Sequence, residues 1–289
     1  MKNKKISVLI MIAILILGLV LTSCGGSGDG ETGKSKVKLI GISLTEEEYA
    51  FGVDKNQPEL LTKVNDFIKQ IGSDGTLDEI FDKYFADGSP AAVVSAELDS
   101  SKDQLIVATN ASFEPFEYML GDSYYGIDLE IAALLAEHLG KELVIHNMDF
   151  DAVVLSVGQG KADIAMAGLT ITEARKESVN FSDKYYDASQ KLIVMANDSS
   201  FDKCTSVSDV EEVLGGLDST TKIGVQTGTT GQFYLEGDED WGFDGYAVET
   251  VGYKAGSLAV QDMINGNIKY VVIDEAPALF IVESINKLG

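Results

Sequence analysis

Apolar positions recur along this chain at two alternating spacings. Residues 37–44 (VKLIGISL) and 49–53 (YAFGV) are short apolar runs of the kind that form strands. From Pro58 the spacing changes. Leu60, Leu61, Val64, Phe67, Ile68 and Ile71 fall on one stripe of a 3.6-residue repeat, which predicts a helix opened by the proline and stopped at Gly72. Thr76 with Glu79 three positions on has the spacing of a capping box. It predicts a shorter helix that buries Leu77, Ile80, Phe81, Tyr84 and Phe85. Residues 87–103 are small and polar around one weak apolar patch, and are expected to be a linker.

Beyond the linker the two spacings alternate regularly. Strands are predicted at 105–109, 142–146, 163–167, 191–195, 222–226, 247–251 and 268–273. Helices are predicted at 127–139, 151–158, 256–264 and 276–286. A Thr/Gly-rich turn at 227–231 leads into one more short helix. Strands alternating with helices argue for α/β lobes with mostly parallel sheets.

The first 24 residues stand apart. Lys2, Lys4 and Lys5 precede an uncharged apolar run from Ile6 to Leu21. The run is shorter than the ~20 residues that a membrane span needs. It ends in Leu21-Thr22-Ser23-Cys24, which reads as a lipoprotein cleavage box. Cys24 is then the expected lipidated first residue of the mature chain, anchored to the outer face of a bacterial cell membrane. Residues 25–36 are rich in Gly, Ser and charge, and are expected to be a tether.

Charge and cysteine content narrow the possibilities. The formal net charge is −24, and loss of the three leader lysines makes it more negative. Such a surface repels nucleic acid and anionic lipid. Cys204 is the one cysteine besides Cys24, so no intramolecular disulfide is expected if Cys24 is lipidated. His138 and His146 lack further ligands at metal spacing and read as structural. No cofactor or metal is implied. About 265 residues remain after the leader, enough for two lobes with real cores.

The stretch 105–187 holds the candidate chemistry. Aromatic residues from Phe113 to Tyr118, a further Phe150, a strand ending in Ala167-Gly168-Leu169-Thr170, and a single Arg175 suit a small zwitterion. Nothing in the stretch supplies a nucleophile or a base. The segments ATNASFEPFEY (108–118), GIDLEIAALLAE (126–137), MDFDAVV (148–154), ADIAMAGLTITEARKESVNFSDKYY (162–186), IGVQTGTTGQFY (223–234) and INGNIKYVVIDEAP (264–277) resemble the polar amino-acid-binding branch of the extracytoplasmic solute-binding proteins of ABC importers. The resemblance implies a two-lobe periplasmic-binding-protein-like fold (type II), α/β in class, with a ligand cleft between the lobes.

The order of segments departs from that family. Residues 38–85 look like its C-terminal segment, and the chain stops where that segment would follow. A circular permutation is therefore expected, with 87–103 as the join. Lobe 1 is expected at 46–193 and lobe 2 at 37–44 plus 200–289, with crossings near 44–48 and 194–200.

The resemblance also implies roles. Arg175 would clamp an α-carboxylate, helped by Gly168, Thr170 and a backbone N–H of Thr230. Phe113 and Phe150 would sandwich the ligand side chain. Asn110 stands where relatives often carry Asp, and Gln226 faces the same pocket, which leans towards a neutral polar amino acid. For the ammonium, counting along strand 268–273 selects Asp274, while counting back from Pro277 selects Glu275. The expected function is capture of an amino acid by lobe closure and delivery to an ABC permease, by a monomer that is not an enzyme. Two alternatives stay open. One is a dehydratase on the same fold, with Glu114, Glu117 or Glu275 as general acid. The other is an amino-acid sensor without a transporter.

Overall fold

A computed structural model describes residues 35–86, 88–238 and 242–288. The leader at 1–24, Cys24 and the tether up to residue 34 lie outside the described residues. Among the described residues no helix is long and apolar enough to cross a membrane.

The chain opens with β1 (Val37–Leu39), β2 (Glu47–Tyr49), β3 (Gly52–Asp54), α1 (Pro58–Asp74) and α2 (Thr76–Phe85). Next come β4 (Gln104–Thr109), β5 (Ser112–Phe113), β6 (Glu117–Leu120), β7 (Ser123–Tyr125), α3 (Ile127–Leu139) and β8 (Glu142–Asn147). α4 (Phe150–Gly158), β9 (Ile164–Ala165), α5 (Glu173–Lys176), β10 (Val179–Phe181), β11 (Tyr186–Ala188) and β12 (Gln190–Met195) follow. α6 (Val207–Gly215), β13 (Lys222–Gln226), α7 (Thr230–Glu236), β14 (Glu249–Tyr253), α8 (Gly256–Ile264), β15 (Tyr270–Asp274) and α9 (Glu275–Lys287) complete the chain.

Two five-stranded sheets divide these elements into lobes. Lobe 1 has the order β10-β3-β9-β4-β8, and lobe 2 the order β1-β12-β15-β13-β14. In each sheet four strands run one way and a single strand is reversed, β3 in lobe 1 and β12 in lobe 2. Each reversed strand follows a strand of the antiparallel ribbon β2-β11, which carries both crossings between the lobes. The second crossing thus falls at 186–190 and not at 194–200. Residues 190–195 pair along β1 and β15, so they belong to lobe 2 and not to the end of lobe 1.

Alternating side chains explain why both faces of each sheet are covered. Tyr270 and Val272 of β15 enter one core, while Val271 and Ile273 enter another. Leu105 and Val107 of β4 face the core under α1, α2 and α3, while Ala108 joins Phe150, Val153 and Val157 of α4. Strands buried on both faces read as continuous apolar runs.

Three local expectations change. α1 runs through Gly72 to Asp74, and the stop is Gly75 with φ of 90°. That left-handed turn suits glycine. Thr76 is already inside α2, so it cannot cap the helix with Glu79; instead its N–H donates to Asp74. Residues 88–103 are tied down along lobe 1: Val93 bridges Tyr124, Ala96 N–H donates to the Leu143 carbonyl, and Ser95 Oγ accepts from Ile145 N–H.

Candidate functional site

Strand ends and helix starts from both lobes meet at the ribbon. Thr172 caps α5 by accepting the Arg175 N–H, which sets Arg175 on one short turn after the 167–170 loop. The guanidinium is buried. It donates to the Thr170 carbonyl at 2.7 Å in lobe 1 and to the Gly228 carbonyl at 3.1 Å in lobe 2. It also lies 5.4 Å from the centre of the Phe150 ring. Its hydrogen-bond partners among the described residues are carbonyls, so the cation is not neutralised by a carboxylate of the chain. Burial pushes its pKa down, while Asp274, Glu47 and Tyr49 push it up. Guanidinium has five donors, so a fork remains for an incoming carboxylate.

Gly168 has φ of 53°, and a Cβ there would meet the Phe113 ring at 2.8 Å. Only glycine fits this position without strain. Its N–H donates to Asp128 at 2.9 Å, and Tyr185 Oη donates to the same carboxylate at 2.6 Å. Asp128 therefore fixes the loop from beneath. Burial raises its pKa to about 7, with those two donors opposing. Phe113 is buried, and its ring is 6.2 Å from that of Phe116.

Lobe 2 contributes Asp274, the last residue of β15. It is buried and accepts from Tyr49 Oη at 2.5 Å. Burial first, then the Glu47 charge, raise its pKa to about 7. Glu275 opens α9 and points elsewhere, accepting from Ser43 and Ser189 and pairing with Lys191 at 3.5 Å. The two neighbours thus differ in place: Asp274 is buried against Tyr49 of the ribbon, and Glu275 is the more exposed of the two. Thr230, first residue of α7, donates its hydroxyl to Glu47 at 2.8 Å and accepts from Gln190 at 3.0 Å. Thr170 donates to the same Glu47 oxygen at 2.6 Å.

At the far side Gln226 Nε2 donates to Asn110 Oδ1 across the lobes at 3.0 Å, and Asn110 Nδ2 donates to the Met148 carbonyl at 2.7 Å. The Gln226 and Gln190 side-chain carbonyl oxygens are buried without a partner among the described residues. Such acceptors carry a cost that a donor from a ligand would remove. At the cleft rim, Lys254 pairs with Asp149 at 2.9 Å.

Four residues escaped sequence reasoning: Glu47, Tyr49, Asp128 and Gln190. The signal for the first two was present, since Glu47 and Tyr49 are two apart on a strand and share a face. Of the candidate acids for catalysis, Glu275 faces Lys191, and Glu114 is half-buried, with burial raising its pKa. Glu117 is wholly buried with neither oxygen partnered among the described residues, and burial, then the Asp128 charge, push its pKa well above the usual carboxylate range.

Two α/β lobes joined by a double crossing, with a cation and an acid converging between them, define a two-lobe binding protein. The chain belongs to the bacterial extracellular solute-binding proteins, family 3, which match it over residues 2–87 and 105–275. It is 40% identical over 101 residues to the arginine-binding extracellular protein ArtP of Bacillus subtilis, covering 35% of this chain and 39% of that protein. It is 28% identical to the histidine-binding periplasmic protein of Salmonella typhimurium, covering 64% of this chain and 65% of that protein. The chain thus spans less than two thirds of each of these relatives. Among solved structures, holo ArgBP from T. maritima is 33% identical with a TM-score of 0.53, covering 63% of this chain and 74% of that one. The ancestral amino acid-binding protein AncCDT-1, described as a precursor of cyclohexadienyl dehydratase, is 27% identical with a TM-score of 0.54, covering 72% and 78%.

Proposed function

We propose that the protein captures a free amino acid between its lobes, is held at the membrane through Cys24, and hands the amino acid to an ABC importer. The observation that carries this is the placing of Arg175 and Asp274. They are two buried opposite charges that the chain does not satisfy with each other, set at the junction of the lobes. A zwitterion satisfies both at once, and burial of an unpaired charge is otherwise costly. Phe113 lies against Gly168, and Phe150 lies beneath the Arg175 guanidinium. The names of the relatives point the same way.

Asn110 and Gln226 present amides where the side chain would lie, and Gln226 keeps a free acceptor. This suits side chains that donate N–H groups, which widens the neutral-ligand expectation to include the arginine and histidine of the relatives' names.

The chain is further proposed to be a circular permutant. Its support is a family match in two blocks separated by 88–104, and the pairing of β1 with β12 in lobe 2 while β3, α1 and α2 pack in lobe 1. Moving 37–86 to follow 288 should give a chain that folds and binds equally well.

The test of function is a thermal-shift screen across the twenty amino acids. At least one should raise the melting temperature, because a ligand bound only by the folded state stabilises it. Arg175→Ala should abolish that shift. Unchanged affinity in this variant, measured by calorimetry, would overturn the reading.

A further inference from the structure

We propose that Tyr49 is a positioning residue for amino-acid binding: lobe 1 fixes its ring, and its hydroxyl sets the carboxylate of Asp274 in lobe 2 to receive the ligand's ammonium. This rests on the reading of the cleft as an amino-acid site. Tyr49 ends the ribbon strand β2 and is wholly buried. It forms an antiparallel bridge with Thr170. On either side of it, Ile171 N–H donates to the Glu48 carbonyl and Ala50 N–H to the Leu169 carbonyl, each at 3.0 Å. The backbone at Tyr49 is thus stitched to the loop that runs from Gly168 towards Arg175.

The ring is held as firmly. It meets the Phe116 ring edge-on with centroids 5.1 Å apart, and lies 5.7 Å from Tyr186 and 6.5 Å from Tyr185. A Cβ at Gly168 would stand 3.2 Å from it. Close packing of this kind confines a side chain to one rotamer. From that fixed ring the hydroxyl donates to Asp274 Oδ1 at 2.5 Å. One side chain therefore spans from the loop that leads to the arginine to the acid of the other lobe. A carboxylate has about four lone-pair sites, so this bond fixes the rotation of the group and leaves sites for an ammonium.

The bond also bears on the charge of Asp274. A hydroxyl that donates to a carboxylate favours the ionised form. Burial, then the Glu47 charge, raise the Asp274 pKa to about 7, and the Tyr49 bond works against both. The phenol itself stays neutral, since burial and then the Asp274 charge push its pKa up. The groups facing Asp274 are Glu47 and Tyr49 of β2, Tyr186 of β11, Glu117 of β6 and Arg175 of α5, with the Gln190 amide beside it on β12. Arg175 is the cation among them, and its hydrogen bonds go to the Thr170 and Gly228 carbonyls. Lys191 turns away to Glu275 and the Gly41 carbonyl. Without the Tyr49 hydroxyl, Asp274 keeps its proton to higher pH, and a protonated acid is a poor partner for an ammonium.

The strongest stabiliser among the twenty amino acids is the probe. Tyr49→Phe keeps the ring contacts and removes one hydroxyl. Calorimetry should show its affinity about tenfold or more below that of the unaltered protein at about pH 6, with the gap narrowing by about pH 8.5. In an Asp274→Asn background the same change should cost much less, because the two residues act as one unit. Unchanged affinity in Tyr49→Phe would overturn the proposal. So would an equal loss at both pH values, or an equal loss with and without Asp274, either of which reduces Tyr49 to packing. Binding that still depends on Arg175 leaves the amino-acid reading intact in all three cases. If none of the twenty stabilises the unaltered protein, both readings fall. If Tyr49→Phe does not fold, 3-fluorotyrosine placed at position 49 is a stronger donor of nearly the same shape. It should tighten binding more at about pH 6 than at about pH 8.5, and no change there would overturn the positioning role.

Discussion

Lobes 1 and 2 share a strand plan but feed the cleft differently. Lobe 1 offers side chains from one continuous stretch: Asn110, Phe113, Phe150, Thr170 and Arg175 all lie within 105–187. Its loop is braced internally, with Asp128 holding Gly168 from below. Lobe 2 offers the end of β15 and the start of α7, and its charged group is braced from outside, by Tyr49 of the ribbon. Lobe 1 can therefore set its geometry before the lobes meet. Lobe 2 completes its part only where the ribbon brings Glu47 and Tyr49 into register with it.

The largest effect should come from removing either charge. Arg175→Ala and Asp274→Ala should each weaken amino-acid binding by more than about a hundredfold, since breaking a buried charge contact costs about 3–5 kcal/mol. Glu275→Ala should cost much less, and calorimetry on the pair separates them. A reversed order would put the ammonium on Glu275 and break the contrast drawn between the lobes.

A core truncation tests whether lobe 1 is set independently. Ile131 is fully buried under the lobe 1 sheet. Ile131→Ala should cost about 2–5 kcal/mol by denaturant unfolding. Binding at low temperature should survive, because an apolar Ile131 side chain supplies none of the hydrogen bonds that fix the cleft groups.

The acids give a pH signature in the ligand-free protein. Asp128 and Asp274 have folded pKa values of about 7, well above their unfolded value of 3.8. Both bind protons more tightly folded than unfolded. Their contribution to stability is thus fully present below the unfolded value and is lost as pH rises towards the folded one. The melting temperature should fall between about pH 4 and about pH 7 on their account. Asp128→Asn should flatten that slope, at some cost in loop order.

Contacts that only join the lobes should matter less. Asn110→Ala removes the bond to Gln226 and should weaken binding about three- to tenfold. The exposed Lys254–Asp149 pair should change affinity less than about fivefold, and not at all in high salt.

Much of the fold was legible because strands and helices carry their spacing locally. The stripe from Leu60 to Ile71 and the apolar run of β15 needed no partner to be read. The errors came where a partner decides. Gly72 and Gly75 look alike in sequence, but only Gly75 takes the left-handed turn. Residues 190–195 read as a strand without saying which sheet they would join. Glu47 read as one acid in an acidic run, since nothing local marks a carboxylate that two distant threonines will bury.

The sequence by itself determined the alternation of elements, the aromatic loop, the isolated arginine and the acid at the end of a strand, all of which are short-range features. The tertiary structure alone decided where the chain crosses between lobes. It also decided which of Asp274 and Glu275 turns inward, and that Glu47 bridges Thr170 and Thr230. Those outcomes depend on burial and pairing between residues more than a hundred positions apart, where no spacing rule along the chain applies.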